Sequence, residues 1–191
     1  MEKGYETAFN ALMRLKEGNK NYLKAEKNAG DISIRRRLYT SQNGQSPYAV
    51  IVGCADSRVI PESIFSAGIG ELFVIRAAGN VVDNFALGSV EYAVEHLGCR
   101  LVVVLGHTGC GAVGAAHQDN GGYLQHITSE IKRAIGKEQD GVKASTINAA
   151  HSAAKIKESL PKTDGLVVMS ALYHTDSGEV EFFDEERIGE V

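Results

Sequence analysis

The chain has 191 residues, 20 Lys+Arg against 24 Asp+Glu for a formal charge of −4, 43% hydrophobic content and three prolines. A chain of this length buries roughly 70% of its unfolded surface, and this apolar content fills a core, which excludes a disordered chain or a miniprotein dependent on disulfides. The mild acidity also argues against a nucleic-acid partner, because the densest basic cluster, Arg35-Arg36-Arg37, is a single short run that reads as a solvated helix face.

The N-terminus, Met1-Glu2-Lys3-Gly4-Tyr5-Glu6, carries acidic residues and no apolar stretch of signal-peptide length, and no later run approaches a membrane span. The expected location is the cytoplasm, with no membrane partner. From Glu6 to Lys27, Phe9, Leu12, Met13, Tyr22 and Leu23 recur at helical spacing, and Ile34 with Leu38 predict a second short helix. Residues 1–40 are therefore read as a peripheral helical arm. The turn-rich stretch from Ser41 to Pro47 leads into a core over residues 48–191.

Tyr48 to Gly53 reads as a buried strand, followed by apolar runs at Leu72–Ile75 and Leu101–Leu105; Leu87, Val90, Val94 and Leu97 between them share one helical face. This alternation predicts a parallel sheet with crossover helices. Leu124, Ile127 and Ile131 mark another helix, Ile147 to Leu160 a further one, and Gly165 to Tyr173 a fourth strand. Ser177-Gly178 then turns the chain into Glu179–Phe183, which is expected to pair antiparallel at an edge. The expected fold is a single α/β domain over 1–191: a central, mainly parallel sheet with crossover helices, an antiparallel edge strand and an N-terminal helical arm.

Ligands in open α/β sheets bind at the carboxyl ends of strands. The first strand runs into Cys54-Ala55-Asp56-Ser57-Arg58 and the third into His107-Thr108-Gly109-Cys110-Gly111. Cys54, His107 and Cys110 can thus converge at one sheet edge, and two thiolates with an imidazole suit zinc. A structural zinc is normally closed by four protein ligands, whereas a catalytic one keeps a position open. Cys99 cannot be the fourth: eight residues of strand at about 3.3 Å each separate it from His107 by roughly 26 Å, and it reads as a small packed thiol. An odd number of cysteines in a chain of this size suits a reducing compartment. Asp56 can reach the metal or its bound water, and Arg58 can hold that carboxylate ionised and oriented.

These residues resemble the β-class carbonic anhydrases, whose motifs are Cys-x-Asp-Ser-Arg and His-x-x-Cys. The likeness runs closely from Tyr48 to about Ala116, including Gly70 to Arg76, Ala78-Gly79-Asn80 and Glu91-Tyr92-Ala93-Val94; the N-terminal arm is also similar, and Gly121 to Lys162 matches loosely. The resemblance implies one zinc per chain on Cys54, His107 and Cys110. It implies a catalytic dyad of Asp56 with Arg58, Asp56 accepting a hydrogen bond from the zinc-bound hydroxide. It also implies a substrate-binding Gln45 and a pocket lined by Phe73 and Tyr92, residues that their own spacing would assign to the core. The activity so implied is reversible hydration of carbon dioxide to bicarbonate and a proton, by a homodimer or tetramer. Members with an inhibitory bicarbonate site carry a tryptophan three residues before the first cysteine; here that residue is Ile51 and the chain has no tryptophan, so that regulation is expected to be absent.

Other readings explain fewer residues. Gly109 to Gly114 fits the G-x-G-x-x-G spacing of dinucleotide-binding oxidoreductases, but the acidic residue expected about 20 positions on, after a second strand, falls at Glu130 in a helical pattern, and His107 and Cys110 are left without a function. A phosphatase loop spaces its cysteine and arginine by five residues, whereas Cys54 and Arg58 enclose three that include the carboxylate of Asp56. A hydrolase of carbon disulfide or carbonyl sulfide, or a non-catalytic zinc protein of the same fold, would use identical ligands; Asp56, Arg58 and Gln45 argue against the non-catalytic version.

Overall fold

Valine and isoleucine runs form the centre of the molecule because β-branched side chains suit a pleated surface covered on both sides. In the computed structural model, which describes residues 6–25, 27, 30–118, 120–183 and 185, these runs are β1 (Ala49–Gly53), β2 (Leu72–Arg76), β3 (Leu101–His107) and β4 (Val167–Tyr173). Every residue of β1 and β3 is buried. The sheet order is β2-β1-β3-β4-β5, with the first four strands parallel and β5 (Val180–Phe182) antiparallel to β4. Mainly parallel sheet and antiparallel edge are thus as expected.

Alternate residues serve opposite faces. Ile51, Val103, Leu105 and Met169 pack with Leu12 and Leu15 of α1 (Ala8–Tyr22) and Ile64 of α3 (Pro61–Ile64). Val50, Val52, Val102 and Val104 pack with Val90 and Val94 of α4 (Asn84–Glu95) and Ala149 and Ile156 of α7 (Gly141–Ser159). The remaining helices are α2 (Ile34–Asn43), α5 (Gly111–Ala115) and α6 (Leu124–Ile135), and a short 3₁₀ turn spans Ala78–Asn80. No helix among the described residues is long and apolar enough to cross a membrane.

The arm corrects the sequence reading in detail. Residues 1–5, 26, 28 and 29 lie outside the described residues, as do 119, 184 and 186–191 of the predicted core. In α1 the buried stripe is Ala8, Ala11, Leu12, Leu15, Gly18 and Asn19, whereas Phe9 and Met13 are 56% and 38% exposed. Small residues let the helix approach closely, and Asn19 fixes it: its Nδ2 donates to the carbonyls of Ile64 (3.2 Å) and Gly178 (2.9 Å), and its Oδ1 accepts from Val180 N (3.1 Å). α2 buries no residue at all. α7 begins six residues before the predicted Ile147, capped by Asp140, whose side chain accepts from Val142 N and Lys143 N.

A methyl group at Gly18 would lie 1.9 Å from the Phe65 carbonyl oxygen. That backbone contact cannot be relieved by a rotamer change, so overpacking of about 1–3 kcal/mol outweighs the roughly 1 kcal/mol that alanine gains in helix propensity. Gly18→Ala is expected to lower the urea midpoint of unfolding; a raised midpoint would show that α1 does not dock on Phe65 as described.

Candidate metal centre

β1 and β3 are neighbours in register, Gly53 opposite Leu105, although the chain visits β2 on the far side of β1 between them. Their shared carboxyl edge is therefore the topological switch point of the sheet, where the crossovers leave in opposite directions and a crevice opens. Cys54 follows β1 directly, His107 is the last residue of β3, and Cys110 caps the first turn of α5. One donor atom from each of these three buried residues lies within 4.8 Å of the others.

The imidazole of His107 is fully buried, and its Nδ1 lies 3.0 Å from the carbonyl oxygen of Thr108. A carbonyl only accepts, so the proton resides on Nδ1 and the Nε2 lone pair points inward. That Nε2 has no hydrogen-bond partner, an arrangement that costs stability unless something electrophilic binds there. Cys54 Sγ accepts from the backbone N–H groups of Gly79 (3.2 Å) and Asp56 (3.4 Å). Donation from the Cys110 thiol, with the smaller contribution of these N–H groups, pulls the Cys54 pKa well below the ordinary thiol range. The same bond and burial push Cys110 upward. The Cys₂His donor set fits zinc.

Asp56 stands beside this cluster, its Oδ2 3.9 Å from His107 Nε2. Both carboxylate oxygens are engaged by Arg58: Nε donates to Oδ1 at 2.9 Å and Nη2 to Oδ2 at 2.7 Å. The Arg58 backbone N–H also donates to Oδ1 (3.0 Å), and Nη2 reaches the Gly109 carbonyl (3.0 Å). Hydrogen bonds from the Arg58 side chain hold the Asp56 carboxyl far below the usual carboxylate range. Among the described residues the metal-binding group stops at three, with a carboxylate tethered next to it.

The carbonic anhydrase family model matches residues 49–180, more than half of the chain. The chain belongs to the β-class carbonic anhydrase family. Carbonic anhydrase 2 of Mycobacterium tuberculosis is 44% identical over 127 residues, which cover 63% of this chain and 61% of that protein; the match spans less than two thirds of this relative's length. The β-carbonic anhydrase CafA of Aspergillus fumigatus superposes with a TM-score of 0.67 at 26% identity, covering 82% of this chain and 86% of that one. One of two β-carbonic anhydrases of Sordaria macrospora, described as tetrameric, shares the fold with a TM-score of 0.68 at 24% identity, over 78% and 91% of the two chains.

Of the residues singled out from sequence, Cys54, His107, Cys110, Asp56 and Arg58 come together. Gln45, Phe73 and Tyr92 lie elsewhere in the same chain. Gln45 is exposed in the segment before β1, and Phe73 pairs with Val50, four residues and about 13 Å of strand before Cys54. Phe73 and Tyr92 do meet each other, with ring centroids 6.1 Å apart. Cys99 is buried two residues before β3, its thiol donating to the Pro47 carbonyl (3.4 Å), and all three cysteines are free of disulfides. His117 and His126 are exposed. Sequence reasoning missed Arg76, whose Nε and Nη2 donate to the carbonyls of Cys54 (3.0 Å) and Asp56 (2.7 Å); its place at the end of an apolar strand beside the first was the available signal.

Purified protein is expected to carry about one zinc per chain. Metal analysis should find zinc retained in Cys99→Ser and lost in Cys54→Ser and Cys110→Ser; loss in Cys99→Ser with retention in Cys110→Ser would replace this ligand set.

Proposed function

We propose that the chain is a zinc-dependent carbonic anhydrase that reversibly hydrates carbon dioxide to bicarbonate and a proton. The observation that carries the reading is the tethered Asp56–Arg58 pair beside a three-donor group whose Nε2 has no partner. Zinc held by Cys54, His107 and Cys110 supplies a Lewis acid that makes water nucleophilic near neutral pH, chemistry for which carbonic anhydrases with three histidine ligands are the standing example.

The chain's own groups then orient the reaction. Asp56 Oδ2 accepts a hydrogen bond from the attacking water, which turns an oxygen lone pair toward the carbon of the substrate. Arg58 keeps the carboxylate ionised and prevents it from swinging onto the metal, because both oxygens are already bound. The new C–O bond forms as one C=O π pair moves to oxygen, and a proton leaves to solvent. Carbon dioxide is neutral and apolar, so its pocket needs apolar walls more than charge.

Those walls come from a second copy. Gln45, Phe73 and Tyr92 sit toward the amino ends of the strands, and they reach a metal centre when it belongs to a partner in a homodimer or a larger, tetrameric assembly. Supporting this, Ile34, Leu38 and Tyr39 on α2 are 68%, 58% and 56% exposed, an apolar face that suits burial against another chain. A reducing compartment such as the cytoplasm suits the two ligand thiols.

Stopped-flow hydration with metal analysis of the same samples tests the dyad. Asp56→Asn should retain zinc and lose about 10²-fold or more in rate, and Arg58→Ala should behave alike; near wild-type rates in both would reduce the pair to a structural ion pair. Complementation tests the shared pocket. A mixed dimer of Cys54→Ser and Gln45→Ala chains holds one doubly damaged site and one intact site. With random pairing about half the dimers are hybrids, so co-refolding should restore about a quarter of wild-type activity. No recovery despite demonstrated hybrids would confine Gln45 to its own chain or exclude it from the site.

A further inference from the structure

The geometry points to Asn148 as a positioning residue for the metal centre, acting through the peptide of Gly79 on the sulfur of Cys54. The inference rests on the reading of Cys54, His107 and Cys110 as zinc ligands, and it concerns a residue 94 positions away from Cys54 in sequence, on α7.

The buried face of α7 is built of small residues, among them Ala144, Ser145, Ala149 and Ser152, with Asn148 in their midst at 2% exposure. A buried amide is costly unless it is hydrogen-bonded. Ser145 satisfies its hydroxyl within its own helix, donating to the Gly141 carbonyl at 2.8 Å. Asn148 instead reaches across to the 3₁₀ turn, where its Nδ2 donates to the Gly79 carbonyl at 2.8 Å. The N–H of the same glycine donates to Cys54 Sγ. One residue thus receives a hydrogen bond from α7 on one side and gives one to the metal-binding sulfur on the other.

The turn holds an unfavoured backbone. Gly79 has φ 67°, and the next residue, Asn80, has φ 45° without being glycine. Asn80 also leaves its Nδ2 buried and without a partner. Such geometry persists where surrounding contacts over-determine it. The backbone bonds between Ala77 and the end of β1, Ala77 N to Gly53 O and Ala55 N to Ala77 O, both 3.2 Å, fix the turn upstream. Asn148 fixes it at Gly79. Ile131 closes the space behind, since a Cβ at Gly79 would lie 2.6 Å from its Cδ1. Without Asn148 the Gly79 carbonyl loses its partner and the Gly79–Asn80 peptide is left to the bond from Asn80 N to the Ala77 carbonyl (2.9 Å), so the turn can pivot at Gly79 and draw its N–H away from the sulfur. Partners of this kind, one bond outside the ligands, change metal affinity by about 10–100-fold.

The test uses the full-length zinc protein and its cobalt-substituted form, with Asn148→Ala, Asn148→Ser and the neighbouring Ser145→Ala. Serine at 148 can satisfy itself on its own helix as Ser145 does, but it is too short to reach Gly79, so it keeps the inference testable if the alanine variant folds poorly. Both Asn148 variants should transfer zinc to a chelator about 10-fold faster or more. Their thiolate-to-cobalt charge-transfer band should move to longer wavelength, because a sulfur that has lost a donor gives up an electron more readily. Ser145→Ala should match wild type in both measurements. Wild-type transfer rates and spectra in the Asn148 variants would overturn the inference, and so would equal acceleration in Ser145→Ala, which would reveal general loosening of α7. Neither readout depends on hydration of carbon dioxide, so a chain without that activity leaves the inference standing, whereas a wild-type chain that takes up neither metal removes the ligand reading and the inference with it.

Discussion

The register between β1 and β3 is the constraint on which the site depends. Gly53 lies opposite Leu105, so the first residue beyond β1 and the last residue of β3 emerge at the same edge, where donor atoms of Cys54 and His107 lie within 4.8 Å of each other. A shift of one residue in either strand would also exchange the faces served by its valines and isoleucines. Packing of the core against α1 on one side and α4 and α7 on the other therefore fixes the same register that assembles the metal-binding group. Stability of the sheet and geometry of the site are set by one alignment.

Around that edge, charge is arranged in locally neutral units. Two thiolates offset a dipositive cation, and Asp56 is offset by Arg58 through two short hydrogen bonds. The loop carrying both Cys54 and Asp56 is tied down by Arg76 through their carbonyls, so the carboxylate and the ligand sulfur keep a fixed relation. This pre-organisation lets a carboxylate stand next to a cation site without closing it. The proposed open coordination position rests on the tether on Asp56 and on the metal-binding group stopping at three donors among the described residues.

The strands were legible in the sequence because strands covered on both faces become continuous apolar runs, and their ends revealed Cys54, Asp56, Arg58, His107 and Cys110. Helix faces were less legible. Phe9 and Met13 have the spacing of a core stripe, yet α1 packs through Ala8, Ala11 and Gly18, because a close approach to the Phe65 backbone requires small residues that carry no hydrophobic signal. The same holds for the Ala/Ser face of α7, which concealed both its true start and the buried Asn148. Gln45, Phe73 and Tyr92 could be connected to a site only by resemblance, since within one chain they lie away from the metal-binding group.

The central claim is that zinc is held by three side chains while Arg58 keeps Asp56 off the metal. A crystal structure of the zinc-loaded protein, with anomalous data across the zinc edge, tests it most directly. The account predicts one anomalous peak within about 2.3 Å of the sulfurs of Cys54 and Cys110 and about 2.1 Å of His107 Nε2, with Asp56 still paired to Arg58 through both oxygens. A peak elsewhere, or an Asp56 carboxylate released from Arg58 and closing the coordination sphere, would contradict it.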